Sequence, residues 1–511
     1  MPNSLIKKSF NQTFLFLFFL FIFNLLTSKA WSEGAPRFRL HINTEPVSLN
    51  PLKQKSSSAA FLFTAVHAPM LWYENGKLFP WLGECQQLNP KKIICEINPK
   101  AKFSNGENIR AIHFIKTFRH FLDPKKPGFR ANFLLGIKNA EKILSGQLPF
   151  DKLGASGEEN KLVIELEKTD YEFIFNLANP ILAPTFNDNV EDDFLSPQSA
   201  FSGPYQIKSW QPKQKIVLIP NSNYQNSKNI IHPGLEFYFI AEDSVALNLF
   251  QKKELDFLRR LPTLYISQFK NSPDYHAIDQ LRFDYFGFGP SLKDQPEIRK
   301  TLAQSLNYDE LQALFWSKPR PGCSGLPEYL LPKPSCIDEV KIIKELSKIS
   351  SYQNLTMSYS KQGGDDVDRS SQWIQSQWKK NLGIQVQLSQ MDNKIFLEQL
   401  RQTPPTIFHI GPAPSRPTCL SVLENFLPNS PENWIKLDSP VFNQLINKMK
   451  STSNKKQKDL LCQKGMDFLI KGYYLIPTGP EYFSILVRPE WKDWHLNDLN
   501  QLNLTDLHFS K

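Results

Sequence analysis

The chain has 511 residues, of which 41% are hydrophobic and 22% charged, with 60 Lys and Arg against 50 Asp and Glu. A single hydrophobic core stops growing near roughly 250 to 300 residues, so this length predicts two or three domains, and the hydrophobic content excludes a disordered chain. The formal net charge is +10 and the basic residues are scattered along the sequence, which argues against a nucleic-acid partner.

The N-terminus has the pattern of a secretory signal peptide. Lys7 and Lys8 precede residues 14–26, which are almost all Phe, Leu and Ile, and small residues follow up to Ala30. This run has about 13 residues and a membrane-spanning helix needs about 20, so we expect cleavage after Ala30, with a retained anchor as the alternative. No cysteine follows the run, which argues against a lipid-modified N-terminus. Removal of residues 1–30 lowers the formal net charge to +7, because it removes three lysines and no acid.

Six cysteines in an exported chain allow three disulfides, with fifteen connectivities. The first two cysteines flank a short polar turn, which would place them opposite each other in a hairpin. The next two bracket a Pro-rich loop, and the last two remain by elimination only. The pairs predicted in this way are Cys85–Cys95, Cys323–Cys336 and Cys419–Cys462.

Residues 201–224 predict a β-hairpin. Gly203 and Pro204 form a turn, and residues 205–210 then alternate between apolar and polar side chains. A second polar turn precedes the apolar, β-branched run at 216–219, which ends at a Pro-Asn step. The two runs are therefore expected to pair as neighbouring strands.

An acidic cluster at 363–370 precedes a predicted helix-to-strand unit. Its carboxylates favour a helix N-terminus because the helix dipole is positive there, whereas a metal loop is the less favoured alternative. Trp373 and Trp378 on the helix are expected to face the core. Gly383 then ends the helix, and residues 384–388 alternate as a strand.

Motifs for catalysis are missing from the sequence. It contains no Gly-x-Ser-x-Gly, His-Glu-x-x-His, Walker loop or Gly-x-Gly-x-x-Gly, and its nine histidines lie apart without ligand spacing. We therefore expect neither an enzyme nor a bound cofactor or metal. An exported hydrolase stays as an alternative, because catalytic triads are assembled in space rather than along the sequence.

Five segments spread over nearly the whole chain after residue 30 carry a family resemblance. They are NTEPVSLNP (43–51), AKFSNGENIRAIHFIKTFRHFLDP (101–124), SGPYQIKSWQPKQKIVLIPNSNY (202–224), IRKTLAQSLNYDEL (298–311) and WKKNLGIQVQL (378–388). In this order they resemble the extracytoplasmic solute-binding proteins of peptide ABC transporters, family 5, which comprises oligopeptide- and dipeptide-binding proteins.

The resemblance implies an α/β fold of the two-lobed periplasmic-binding-protein type, with an additional inserted domain and a ligand cleft between the lobes. Such clefts enclose their ligands by hinge closure. The Gly-Pro-Tyr hairpin at 203–205 would then be scaffold near the hinge. The implied division is a signal peptide at 1–30, lobe I at 36–77, 201–288 and 483–511, an inserted domain at 78–200 and lobe II at 289–482.

The function implied by the resemblance is a periplasmic protein that captures a peptide or peptide-like solute by lobe closure. It would deliver this solute to an inner-membrane ABC permease and its ATPase, and it would act as a monomer without a cofactor or nucleic acid. The alternative is a sensor or holdase of the same fold for a non-peptide or N-terminally blocked ligand.

The sequence departs from the family pattern where the ligand is expected. In oligopeptide binders of this family, a strand near Gly-Trp-x-Ala-Asp-Tyr supplies backbone groups, and its Asp receives the ammonium of the peptide. Here Gly411 is retained, Pro412 replaces the Trp, and Ser415 stands at the Asp position with Arg416 beside it. A hydroxyl next to a guanidinium cannot hold an ammonium as a buried carboxylate does. We therefore predict a ligand with an anionic or blocked end.

A second departure follows the first motif, where the family often offers an acidic ligand contact. Lys55 and three serines stand there instead, although exposed loop residues are an equally good interpretation. Main-chain pairing between residues 409–413 and an extended ligand is still expected, because it does not depend on side-chain identity. The candidate ligand-binding residues are Lys55, Ser57, Phe129, His409, Gly411, Ala413, Ser415 and Arg416.

Overall fold

The computed structural model describes residues 35–53, 60–128, 130–186, 193–315, 320–338, 354–361, 364–479 and 482–510. The strands are β1 (Phe38–Ile42), β2 (Leu71–Glu74), β3 (Lys77–Pro80), β4 (Gly83–Asn89), β5 (Lys92–Ile97), β6 (Ala155–Glu158), β7 (Lys161–Glu165), β8 (Tyr205–Gln211), β9 (Lys215–Pro220), β10 (Leu235–Phe239), β11 (Phe257–Leu258), β12 (Tyr275–Asp279), β13 (Asp284–Phe288), β14 (Asn354–Ser360), β15 (Gln385–Met391), β16 (Ile407–Ile410), β17 (Leu475–Gly479), β18 (Tyr482–Val487), β19 (Trp491–Lys492), β20 (His495–Leu496), β21 (Leu502–Asn503) and β22 (His508–Phe509).

The α-helices are α1 (Ala60–Val66), α2 (Ala111–Phe121), α3 (Ala140–Leu144), α4 (Asp243–Gln251), α5 (Ile266–Phe269), α6 (Pro296–Gln304), α7 (Tyr308–Phe315), α8 (Gly364–Leu382), α9 (Asn393–Gln402), α10 (Cys419–Glu424), α11 (Pro440–Lys450) and α12 (Lys455–Lys471).

A seven-stranded sheet forms the first lobe, in the order β12-β18-β11-β1-β10-β9-β8. β1 lies at its centre and runs parallel to β10 and β11. Phe38, Leu40 and Ile42 point to one face of β1 and His41 points to the other, and all four are fully buried, as expected for a central strand of a sheet that is covered on both faces. The sheet thus gives the first lobe a rigid centre.

The inserted segment builds a four-stranded antiparallel sheet, in the order β4-β5-β7-β6, with α2 packed against β6 and β7. Phe114 and Phe118 of α2 and Ile164 of β7 belong to the same buried hydrophobic cluster as Phe38 of β1. The insertion and the first lobe therefore share one continuous core.

The second lobe contains a five-stranded sheet, in the order β15-β14-β16-β13-β17, and a separate hydrophobic core. Trp378 of α8 is fully buried in this core and donates from Nε1 to the carbonyl of Leu302 over 2.9 Å, while Trp373 packs against its edge. Gly383 follows α8 with a φ of +68°, a conformation that favours glycine, and β15 comes next. The predicted helix-to-strand unit is confirmed.

The acidic cluster lies in the first turns of α8. The carboxylate of Asp366 accepts a hydrogen bond from Thr263, and Asp368 accepts one from the hydroxyl of Tyr359 at 2.5 Å. Across the described ranges, no three His, Cys, Asp or Glu residues are grouped as metal ligands, and no helix is long and apolar enough to cross a membrane.

The chain passes between the two large sheets twice. The first crossing lies between Asp279 and Asp284 and the second between Gly479 and Tyr482. β13 therefore belongs to the second lobe, so the first crossing comes before residue 288, where the resemblance placed the boundary. Short crossings of this kind are where a hinge motion would be absorbed.

The hairpin predicted at 201–224 is present, with β8 antiparallel to β9 at the edge of the first lobe's sheet. Gly203 is needed there because a Cβ would lie 2.4 Å from the carbonyl carbon of Val66. Its N–H donates to the carbonyl oxygen of Val66 over 2.9 Å. The hairpin is thus tied to the end of α1 and serves as scaffold.

All three predicted disulfides are present. Cys85 and Cys95 are direct partners in the β4–β5 ladder. The other two lie in the second lobe: one closes the Pro-rich loop, and the other joins α10 to α12. Each disulfide therefore braces a local unit within one lobe.

Candidate functional site

The candidate site is the crevice between the second lobe on one side and the first lobe with its insertion on the other. Three groups of side chains form hydrogen bonds or ion pairs across it, so the two sides are in contact in this structure. These contacts are Arg416–Asp170 and Lys458–Glu172, Tyr329 with Tyr73 and Asp498, and Thr263–Asp366.

The strand predicted to pair with a ligand is β16, an interior strand of the second lobe's sheet. It pairs with β13 along its whole length, whereas its ladder with β14 covers only Ile407 and Phe408. His409 is buried, with its ring 4.9 Å from that of Phe286 on β13. The ladder with β14 therefore ends at Phe408. A ligand that pairs with the main chain of β16 would do so after this residue, on the side that faces β14.

Gly411 follows β16 and is clamped to the first crossing. A Cβ at this position would lie 1.1 Å from Oδ1 of Asp284, so any other residue would have to displace this buried carboxylate from its bond to Arg282. Its carbonyl accepts a hydrogen bond from Nε of Arg282 at 2.7 Å, and the carbonyl of Pro412 accepts one from the N–H of Phe283 at 3.4 Å. Glycine is thus favoured by the close approach of Asp284, a reason that the sequence pattern did not indicate.

Ser415 and the backbone of Arg416 belong to the turn that leads into α10. The Ser415 hydroxyl lies 3.0 Å from that of Ser421, which also accepts from the N–H of Arg416 at 3.2 Å. Thr418 caps the helix by accepting from the N–H of Ser421. Ala413 is exposed, and Lys55, Ser57 and Phe129 lie outside the described residues.

The prediction that Arg416 offers its positive charge to the ligand needs correction. Its side chain is only 6% exposed, and its guanidinium donates to Asp170 at 2.7 Å and to Glu424 at 2.6 Å. Burial alone would lower the pKa of Arg416, but the two carboxylates outweigh it and raise the pKa. Arg416 is therefore an internally neutralised cation that joins the second lobe to the insertion, and it does not offer an uncompensated charge to an anionic ligand.

Lys458 of α12 forms a second ion pair between the second lobe and the insertion, with Glu172 at 2.9 Å. Both side chains of this pair are largely buried. Sequence reasoning missed Asp170 and Glu172 because 246 and 286 residues separate them from their partners. An acidic pair in a loop carries no local signal that would reveal a partner so far along the chain.

A third contact across the crevice is polar and buried. The hydroxyl of Tyr329 in the second lobe donates to Oδ2 of Asp498 and lies 2.8 Å from the hydroxyl of Tyr73. Oδ1 of Asp498 is buried and has no hydrogen-bond partner among the described residues, while its backbone carbonyl accepts from Leu281 in the first crossing at 2.7 Å. Burial raises the pKa of Asp498 to about 6. Asp498, a titratable group, thus takes part both in the contact between the lobes and in the hydrogen bond to the first crossing.

This carboxyl is expected to make stability depend on pH. Its pKa of about 6 in the folded state lies above the value near 4 expected in the unfolded state, so the folded state retains the proton over that interval. The stabilisation is complete below about pH 4 and is lost as the pH rises through about 6, by roughly 2 to 3 kcal/mol. Asp498→Asn should therefore remove most of this loss, about 1.5 to 2 kcal/mol, from the difference between the unfolding free energies at pH 4.5 and pH 7, because part of the loss has already occurred at pH 4.5.

The matched control is Asp506→Asn, which changes an exposed carboxylate in the same C-terminal segment. Chemical denaturation at the two pH values should leave the pH dependence of this control equal to that of the wild type. A wild-type pH dependence that persists in Asp498→Asn would show that the carboxyl of Asp498 titrates normally.

Several known proteins are similar to this chain in sequence and in architecture. The family model for bacterial extracellular solute-binding proteins, family 5 (middle), matches residues 78–434. The oligopeptide-binding protein OppA of Bacillus subtilis is 24% identical over 493 residues, which cover 88% of each chain. The periplasmic murein peptide-binding protein MppA of Escherichia coli is 24% identical over 385 residues, covering 70% of this chain and 71% of MppA.

The solved structure of MppA from Escherichia coli superimposes with a TM-score of 0.81 at 18% identity, covering 93% of this chain and 98% of that one. The unliganded open form of MppA gives 0.74 at 19% identity with the same coverage. One further relative, the probable deoxycholate-binding periplasmic protein YgiS of Escherichia coli, is 21% identical over 88% of this chain and 89% of its own.

These matches confirm the two-lobed α/β fold and the family indicated by the five ordered segments. The family match covers more than half of the chain and spans both the insertion and most of the second lobe. The chain belongs to the bacterial extracellular solute-binding proteins of family 5.

Proposed function

We propose that this protein captures a peptide or peptide-like solute between its lobes in the periplasm and delivers it to an ABC-type import permease with its ATPase. The observation that carries this proposal is the crevice itself, whose two walls are joined by short crossings and meet through polar contacts. A crevice of this kind encloses a ligand by hinge motion, and a bound ligand favours the closed arrangement.

Several finer features complete the proposal. The chain is exported by cleavage of its signal peptide after Ala30, acts as a monomer and performs no chemistry on its ligand. The relatives named as oligopeptide-binding and murein peptide-binding proteins support a peptide ligand. The relative named as a probable deoxycholate-binding protein makes a non-peptide solute the second candidate.

The charges at the turn before α10 support a ligand whose α-ammonium is not its main anchor. Ser415 supplies a hydroxyl, and the carboxylates of Asp170 and Glu424 are already bonded to Arg416. A ligand ammonium would have to compete with a guanidinium held at 2.7 and 2.6 Å in a buried site. The ligand is thus expected to bind without a salt bridge from its N-terminus to these residues.

Calorimetric titration with matched peptide mixtures, either free or acetylated at the N-terminus, tests this proposal. Acetylated peptides are expected to bind within about threefold of the free ones, because a lost buried charge pair would cost tenfold or more. Binding that requires the free amine would show that a carboxylate outside this turn receives it. Binding of deoxycholate with no binding of either mixture would favour the second candidate.

A further inference from the structure

Arg259, which forms no salt bridge with any described residue, lies at the edge of the crevice. Arg259 directly follows β11, and Asn43 directly follows the parallel neighbouring strand β1. The carboxyl ends of these strands therefore open at the same edge of the first lobe's sheet. In open α/β sheets, ligands bind in the crevice outside this edge.

Contacts with the second lobe place this segment at the crevice. Thr263, four residues after Arg259, donates a hydrogen bond to Asp366 in the first turn of α8. The Arg259 guanidinium also lies 5.9 Å from the ring of Phe483, which begins the return from the second crossing, and 5.4 Å from that of Phe61. The guanidinium thus lies near two aromatic rings, one on α1 and one on β18, the strand that follows the second crossing.

The charge of Arg259 is poorly compensated. Its Nη1 donates to the amide oxygen of Asn43 at 2.7 Å, whereas its Nε is buried without a hydrogen-bond partner, and no salt bridge to Arg259 is formed within the described part of the chain. Arg39, by contrast, donates to both oxygens of Asp256 at 2.9 and 2.8 Å. A buried guanidinium with an unsatisfied N–H is costly in a folded protein unless something else binds it.

Among the described neighbours of Arg259, Asp243 contributes negative charge, but it forms no ion pair with the guanidinium. His41 accepts a hydrogen bond from the backbone N–H of Arg259. Burial, together with the charge of this arginine, lowers the pKa of His41 to about 3, so its ring is neutral. Arg260 adds a second cation next along the chain. Burial and then Arg260 lower the pKa of Arg259 to about 10, while the negative charge of Asp243, which accepts a hydrogen bond from Asn43 at 2.9 Å, opposes this.

We infer that Arg259, assisted by Arg260, binds a carboxylate of the solute and so selects anionic ligands. The planar guanidinium has donors in a fork that matches a carboxylate, and the rings of Phe61 and Phe483 lie 5.4 and 5.9 Å from it. This inference rests on the proposed function, since it names the part of the captured solute that the first lobe recognises. The carboxylate is either the C-terminus of a peptide or an acidic side chain.

Three tetrapeptide mixtures distinguish these sources. The first contains Ala, Ser, Val, Phe and Gln with free C-terminal carboxylates, the second has the same composition with C-terminal amides, and the third is amidated with Glu in place of Gln. Retention of each mixture by the full mature protein is measured by native mass spectrometry. The wild type is expected to retain the first or the third mixture at least about tenfold better than the second.

The test variant is Arg259→Gln, which keeps a donor toward Asn43, and the control is Arg401→Gln on the exposed face of α9. The carboxylate preference should disappear in the first variant and persist in the second. A preference that survives Arg259→Gln, or equal retention of all three mixtures by the wild type, would overturn the inference and leave the proposed function standing. Retention of no mixture by the wild type would contradict both.

Thermal unfolding without ligand provides a second readout. Removal of an uncompensated charge is expected to keep or raise the unfolding temperature, as is common for residues retained for binding rather than stability. An unfolding temperature several degrees lower in Arg259→Gln than in Arg401→Gln would assign Arg259 a structural role and overturn the inference.

Discussion

Replacement of Arg416 with methionine is expected to lower the free energy of unfolding by about 3 kcal/mol, because in a largely buried site it leaves the carboxylate of Asp170 without its cation and that of Glu424 with Lys450 alone, at 2.7 Å. Methionine has a similar length and no charge, so the loss reports the ion pairs rather than a cavity. The two acids are Asp170 in the insertion and Glu424 in α10. Guanidinium denaturation of the ligand-free protein measures the effect.

The control for this prediction is Arg401→Met. Arg401 forms an exposed ion pair with Glu398 at 3.7 Å, and exposed pairs contribute at most about 1 kcal/mol. Asp170→Asn separates the two halves of the buried site, since it removes the partner across the crevice and leaves Glu424 in place. Equal losses in Arg416→Met and Arg401→Met would contradict the buried ion-pair network.

Removal of the disulfide between Cys419 and Cys462, by alanine at both positions, is expected to lower the free energy of unfolding by about 4 kcal/mol. The two cysteines are 43 residues apart, and a longer loop left open gives the unfolded chain more conformational entropy. Both side chains are buried, so alanine avoids leaving a polar group in the core. Denaturation under non-reducing conditions compares the variant with the wild type.

The disulfide between Cys85 and Cys95 serves as the internal comparison, because only 10 residues separate its ends. The same chain-entropy model gives a smaller loss for its removal, between about 2 and 3 kcal/mol. A larger loss from the short loop than from the long one would show that packing around the disulfides, rather than loop closure, sets their contribution.

Features of this protein that are local in sequence were predictable from sequence. The hairpin at 201–224 follows from two turns and a period of two, and the helix that carries Trp378 follows from an acidic start and a closing glycine. The pairing of Cys85 with Cys95 follows from their place in one hairpin. In each case the residues that determine the structure lie within one or two elements.

The electrostatics of the crevice could not be predicted in this way. Arg416 was expected to face the ligand, but its charge is neutralised by Asp170 from the insertion, a residue that only the folded arrangement brings near. Likewise, the sequence does not single out Arg259, because the lack of an ion-pair partner among the described residues can be recognised only from the folded structure. The resemblance puts the end of this part of the first lobe at residue 288, whereas β13 pairs with β16 and β17 of the second lobe. These partner strands come much later in the chain, so the sequence around β13 does not reveal them.

Native mass spectrometry of the protein, purified from cells without unfolding, tests the central claim most directly. The account predicts that a fraction of the protein retains a bound adduct, and that this adduct fragments into amino-acid residues on activation. Added peptides are expected to replace it. A protein that carries no peptide and takes none from the free or acetylated mixtures would contradict the account.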